Sequence, residues 1–221
     1  MIPRAAWALA LLPLAACTTP LQHATVSRPQ VAPTSSAAHA AAIAADAKKS
    51  DHEADSRVRT ELAEAARLEA DACMAQEPQA AACLYGRAVA LGLEAKAHPT
   101  RAPGILGNML ETLSQAEAAD PSYDEAGPAR VQALVLIRAP GWPIGPGDPE
   151  RGLAAAQRAL TLRPDYPPNL LALAEAQAKL GTAEAARASY LRARDTILKL
   201  PDTAERADWL HDVEQGLSRN P

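Results

Sequence analysis

Phenylalanine is absent from the 221 residues, and aromatic residues make up only 3% of them. Sheet sandwiches and barrels cover their pleated faces with aromatic and β-branched side chains, so this shortage weighs against an all-β fold. A basic excess is missing too. Lys and Arg number 22 against 26 Asp and Glu, for a net charge of −4, which argues against a nucleic-acid binder. Lys48-Lys49 and Arg57 with Arg59 are too sparse to form a phosphate-binding patch. No apolar run reaches the roughly 20 residues that cross a bilayer. The five histidines, His23, His39, His52, His98 and His211, are scattered. None pairs with another at a helical ligand spacing, so no metal site is expected, and they read as surface or tether residues. There is no Gly-x-Ser-x-Gly elbow. Gly145-Pro146-Gly147-Asp148 lacks the Gly-Lys-Ser/Thr ending and the preceding strand of a phosphate loop. The carboxylates fall on polar faces where solvation accounts for them. The pattern is therefore not that of an enzyme, and no cofactor is called for. What the chain has in quantity is alanine and leucine, both strong helix formers.

The amino terminus carries an address. Arg4 gives a short positive start, and Ala5 to Ala16 form an apolar run interrupted by Pro13, as in a secretory leader. The run ends in Leu14-Ala15-Ala16-Cys17, which resembles the bacterial lipobox. The resemblance implies a signal peptide over 1–16 and lipid carried on Cys17, with an ordinary leader cut elsewhere as the alternative. Thr18 follows, not Asp. That resembles the sorting signal of outer-membrane lipoproteins and implies the periplasmic face of that membrane. Thr18 to about Ser36 is mostly Thr, Ser, Pro, Gln and Ala with the single charge Arg28, too polar to fold alone. Residues 17–50 are assigned to a flexible tether, with extension of the first helix into the Ala-rich stretch 37–50 left open, and 51–221 to a helical domain.

Export bears on the other two cysteines. Cys73 and Cys83 flank Glu77-Pro78, a helix-turn-helix corner, and an oxidising compartment favours a disulfide between them. Two buried free thiols are the alternative.

The body repeats. Gly147, Gly152, Ala156 and Ala159 align at a spacing of 34 with Gly181, Ala186, Tyr190 and Ala193. Most of these sites are small, as close helix approach requires. Ala159-Leu160-Thr161-Leu162-Arg163-Pro164-Asp165-Tyr166 and then Leu170, Leu173 and Ala174 resemble the tetratricopeptide repeat, a helix-turn-helix unit. Helical periodicity predicts about eight helices, near 51–74, 79–97, 104–119, 128–138, 149–162, 167–180, 183–198 and 203–217. Val58, Leu62, Ala65 and Ala72 form the apolar stripe of the first. Ser50 with Glu53 is its expected capping box, and Asp202 or Thr203 caps the last. The expected class is an all-α superhelix whose end is closed by the polar residues Glu205, Arg206, Asp208 and Asp212. The segment 139–149 holds four prolines and three glycines and breaks the rhythm. An ordered loop is expected there, because Trp142 and Ile144 are costly to leave in water. It acts either as a plug between repeats or as a binding element.

Three segments carry a more specific likeness. They are Cys83 to Ala95, Asp120 to Arg130 with its Ala126-Gly127-Pro128 turn, and Ala139 to Glu150 with Gly141-Trp142-Pro143. Behind a lipobox and in this order they resemble the T component of tripartite ATP-independent periplasmic (TRAP) transporters. The resemblance implies a lipid-anchored, tetratricopeptide-like accessory subunit that docks a periplasmic solute-binding protein and passes on a hydrophobic or organic-acid ligand. Family members form trimers with a central pore, so a homo-oligomer is implied as well. Arg130, beside a Gly-Pro turn and with Tyr123 and Trp142 near, is the candidate binding group, because an arginine fork suits a carboxylate. The alternative is that Arg130 caps loop carbonyls or pairs with Asp124 or Asp148. A rival function is an envelope scaffold that recognises peptides in outer-membrane or pilus assembly.

Overall fold

A computed structural model describes residues 35–220. The leader, Cys17 and the tether as far as Thr34 lie outside the described residues. Within them the chain forms nine helices and no strand: α1 Ser36–Asp51, α2 Ser56–Gln76, α3 Ala81–Ala97, α4 Ala102–Ala119, α5 Tyr123–Arg138, α6 Pro149–Leu162, α7 Pro167–Lys179, α8 Ala183–Ile197 and α9 Ala204–Arg219. No described helix is long and apolar enough to cross a membrane.

Local chemistry sets the ends. Ser35, Asp55, Asp148 and Thr203 each accept a backbone N–H of the turn they open, satisfying a donor that the helix itself leaves free. Proline occupies the first turn of α4, α6 and α7, where its missing N–H costs nothing. Gly181 turns the chain from α7 into α8 at φ 76°, a left-handed conformation that costs glycine little.

Each helix packs on the next. The odd-numbered helices also touch one another in series, α1 on α3, α3 on α5, α5 on α7 and α7 on α9. The result is two layers, with odd helices inside and even helices outside. Alanine dominates the seams: Ala63, Ala66, Ala70 and Ala90 around Ile43, then Ala133, Ala155, Ala156, Ala172 and Ala176 around Ile137. Small side chains bring the backbones close. A methyl on Gly152 of α6 would stand 2.8 Å from Ile137 Cγ1 of α5.

The structure corrects several expectations. Residues 36–51, placed in the tether, are a helix whose Ile43 enters the core. It buries His39, Ile43, Asp46 and Ser50 as it packs on α2 and α3, which composition alone does not reveal. Ser50 is therefore buried at the end of α1, and Asp55 caps α2 in its place. The α2 core stripe is Leu62, Ala63, Ala66, Ala70 and Cys73. Val58, Ala65 and Ala72 are only half-buried, because α2 is rotated to meet α1 as well as α3. His39 is no surface residue: it is buried, with Nδ1 2.8 Å from Glu69 Oε2. Glu69 and Asp46 are buried as well, so two carboxylates leave the polar faces.

Cys73 near the end of α2 and Cys83 near the start of α3 form a disulfide, with their Cα atoms 5.3 Å apart.

Candidate functional site

The inner helices leave an open cleft of about 1020 Å³. One wall is the alanine face of α1, from Ala37 to Ala47. The floor and far wall bring in Tyr85 and Val89 of α3, Tyr123 and Asp124 at the start of α5, Tyr166 before α7, and Trp209 of α9. Helices from opposite ends of the described chain thus face one another. They are joined at the rim by Lys48 and Glu205, 3.5 Å apart. Both are well exposed, and such a pair contributes little to stability. Glu205, Asp208 and Asp212, expected to cap the outer end, line this cleft.

The turn that delivers Tyr123 and Asp124 is strained. Asp124, Glu125 and Ala126 all have positive φ, at 49°, 54° and 65°. For residues with a Cβ this conformation costs roughly 1–2 kcal/mol each. The strain is held by a buried polar hub. Arg130 donates to the carbonyls of Asp124 and Glu125, each at 3.1 Å, to Asn169 Oδ1 at 3.2 Å and to Asp124 Oδ2 at 2.8 Å. Asn169, fully buried, donates through Nδ2 to the carbonyls of Glu125, Ala159 and Arg163. The guanidinium of Arg130 also lies over the Tyr166 ring, 5.1 Å from its centre.

Arg130 therefore caps loop carbonyls and pairs with Asp124. The recorded bonds from its Nη1 and Nη2 all go to protein acceptors. Tyr123 belongs to the same neighbourhood, edge-on to Tyr85 at 5.4 Å between ring centres. Trp142 does not. It stands 90% exposed, with Ile144 at 68%, and lines no part of the cleft. The expectation that both would be covered fails, since no helix reaches over the loop. Nor do they plug a gap. The loop is nonetheless ordered by its own backbone: Ile144 N–H and Gly145 N–H donate to Gly141 O, Gly147 N–H to Pro140 O, and Asp148 N–H to Leu136 O.

Tyr85, Asn169 and Trp209 are the site residues that sequence reasoning missed. Asn169 had a legible signal, a polar residue between Pro168 and Leu170 on an otherwise apolar helix start. Burial pushes the phenols of Tyr85, Tyr123, Tyr166 and Tyr190 above their ordinary value of 10.0, and these are all the tyrosines of the chain. At Tyr85, Arg130 opposes part of that shift. Burial likewise raises the carboxyl of Asp212, and Arg138 offsets it in part.

A raised phenol favours the neutral form in the fold. Its stabilisation is complete below pH 10.0, the unfolded value, and is lost as pH climbs from there through the folded values. The urea midpoint should therefore fall steeply above pH 10.0, and Tyr85→Phe should shrink that fall. Tyrosinate absorbance developing around pH 10.0 in the native protein, with no change in midpoint, would contradict this.

In comparisons with known proteins, no protein-family model matches the chain, and no curated protein matches it. The solved structure of a thermophilic tetratricopeptide-repeat protein from Thermus thermophilus is similar, with a TM-score of 0.55 at 21% sequence identity, over 82% of this chain and 91% of that one. The nine helices of the described residues, stacked in two layers, together with that likeness, give this chain the all-α tetratricopeptide-like repeat fold.

Proposed function

We propose that the chain is a docking protein of the bacterial envelope, moored on the periplasmic face of the outer membrane through lipid on Cys17, whose inner cleft receives a segment of a partner protein. The cleft between α1 and α9 carries this reading. It is open along its length and lined by rings and methyl groups, a shape suited to a polypeptide segment. Trp142 and Ile144, exposed on an ordered loop, supply a second apolar contact of the kind that anchors interfaces.

Within this reading, the loop sequences around Gly86, Ala126-Gly127-Pro128 and Gly141-Trp142-Pro143 favour an accessory subunit of a TRAP-type transporter, with the periplasmic solute-binding subunit as partner. The openness of the cleft favours the rival reading, a scaffold for outer-membrane or pilus assembly. Membrane fractionation tests the anchor: Cys17→Ala should release the protein, and unchanged membrane association defeats the lipid assignment. Co-purification from envelope extracts tests the partner. A solute-binding subunit recovered with the parent chain and lost with Trp142→Ala supports the transporter reading. Barrel or pilus subunits recovered in that pattern support the scaffold. Recovery indifferent to Trp142→Ala removes the loop from docking.

A further inference from the structure

The cleft has a chemistry that docking alone does not require. Its charged residues are unbalanced. Asp51, Asp124, Glu205, Asp208 and Asp212 line it against Lys48, and Lys48 is already held by Glu205. Asp51 faces Lys96 at 3.1 Å, and Asp124 is paired with Arg130. Asp208 and Asp212 form no ion pair within 4.0 Å among the described residues, and both are exposed on α9; Arg138 and His211 act on Asp212 from farther off. Between them stands Trp209, edge-on to Tyr166 with ring centres 6.0 Å apart. Tyr85, Tyr123 and Trp209 are each only half-buried; Tyr166 is half-buried too, with one face already under Arg130.

Ring faces and carboxylates attract the same ligand. An ammonium or guanidinium gains from an aromatic face, a guanidinium also stacks on it, and a field of one sign steers the opposite charge into a cleft. The α1 wall decides the form of the cation. From Ala37 to Asp51 it runs about 21 Å at 1.5 Å per residue, room for about six extended residues. Its side chains are mostly methyl groups, so a second backbone can lie close along it. A small organic cation would cover only a fraction of that length.

We infer that the cleft binds an extended, arginine- or lysine-bearing segment of a partner polypeptide. The segment's backbone follows the alanine wall of α1, and its cations reach over the rings toward Asp208 and Asp212. This rests on reading the cleft as the docking surface and adds the charge and form of what docks.

Fluorescence anisotropy with the full chain in detergent tests it. The probes are labelled peptides of four Arg-Ala repeats and of four Glu-Ala repeats, with arginine amide as competitor. The arginine peptide should bind, and the glutamate peptide should not. Asp208→Asn with Asp212→Asn should weaken binding about tenfold, or about 1.4 kcal/mol. Glu61→Gln with Glu64→Gln removes the same charge from the exposed face of α2, away from the cleft, and should change it less than about twofold. Circular dichroism confirms that both double variants stay helical. Equal losses in the two double variants, or glutamate peptide binding as well as arginine peptide, would overturn the inference. Displacement by arginine amide at concentrations equal to the peptide would overturn the extended form. Arginine-peptide binding without any co-purified partner leaves this chemistry standing and removes the proposed partner. A partner recovered without arginine-peptide binding does the reverse.

Discussion

Arg130→Met should destabilise the protein by about 3–5 kcal/mol, the range for breaking a buried charged network by removing one partner. Methionine keeps much of the aliphatic volume and deletes every donor. The carbonyls of Asp124 and Glu125 then lose their bonds from the guanidinium, and Asn169 Oδ1 loses its donor. An unsatisfied buried acceptor costs about 1–3 kcal/mol. The bond to the Asp124 carboxylate adds less, because that side chain is about half exposed. The three left-handed residues would then keep Asn169 Nδ2 on Glu125 O, Arg163 Nε on the exposed Glu125 carboxylate and Ala126 N–H on Ser122 O. Urea denaturation gives the number. Asn169→Leu should also be strongly destabilising, and the double variant should cost less than the two single costs combined, because the residues share one network. A midpoint for Arg130→Met within about 0.5 kcal/mol of the parent, the scatter of ordinary surface substitutions, would mean that the turn is held elsewhere. The conservative Arg130→Lys should recover little, since one ammonium cannot reproduce a fork that meets four acceptors.

The second large effect concerns the disulfide. Cys73 and Cys83 are separated by ten residues in sequence and lie on facing turns of α2 and α3. In the chain-entropy account, closing a loop of that size contributes about 2–3 kcal/mol by restricting the unfolded chain. Cys73→Ala with Cys83→Ala should therefore lower the melting temperature by about 5–10 °C for a domain of this length. Reductant should lower the parent protein to the same point and leave the double variant where it is. A parent protein unmoved by reductant would mean that the two thiols are free. Both cysteines are buried, so the fold tolerates alanine there better than serine, whose hydroxyl would need a partner.

These expectations differ in how far they could be read from the chain. The disulfide is a local matter: two cysteines around a Glu-Pro corner between helices are brought together by the corner itself. The repeat is local in the same sense, because Gly152, Ala156 and Ala159 recur as Ala186, Tyr190 and Ala193, all buried in the structure. The site is not local. Arg130 could be seen to stand beside a rigid turn, but its role depends on Asn169, which lies 39 residues away in sequence. Trp142 shows the opposite failure. Its hydrophobicity argues for burial, yet burial needs a neighbour to supply cover, and none of the helices that follow the loop comes back over it.

Helicity, the 34-residue rhythm, the corner that joins Cys73 to Cys83 and the proline-rich interruption were all determined by the sequence itself, because each follows from side-chain size, charge and backbone freedom within a few turns of chain. The tertiary structure alone decided that 36–51 is a wall instead of a tether, that Arg130 faces inward, and that Asp208, Asp212 and Trp209 look across a cleft at α1. The physical reason is curvature. A small rotation between successive helix pairs, accumulated from α1 to α9, brings these two helices to opposite sides of one opening, and no single segment of sequence records that sum.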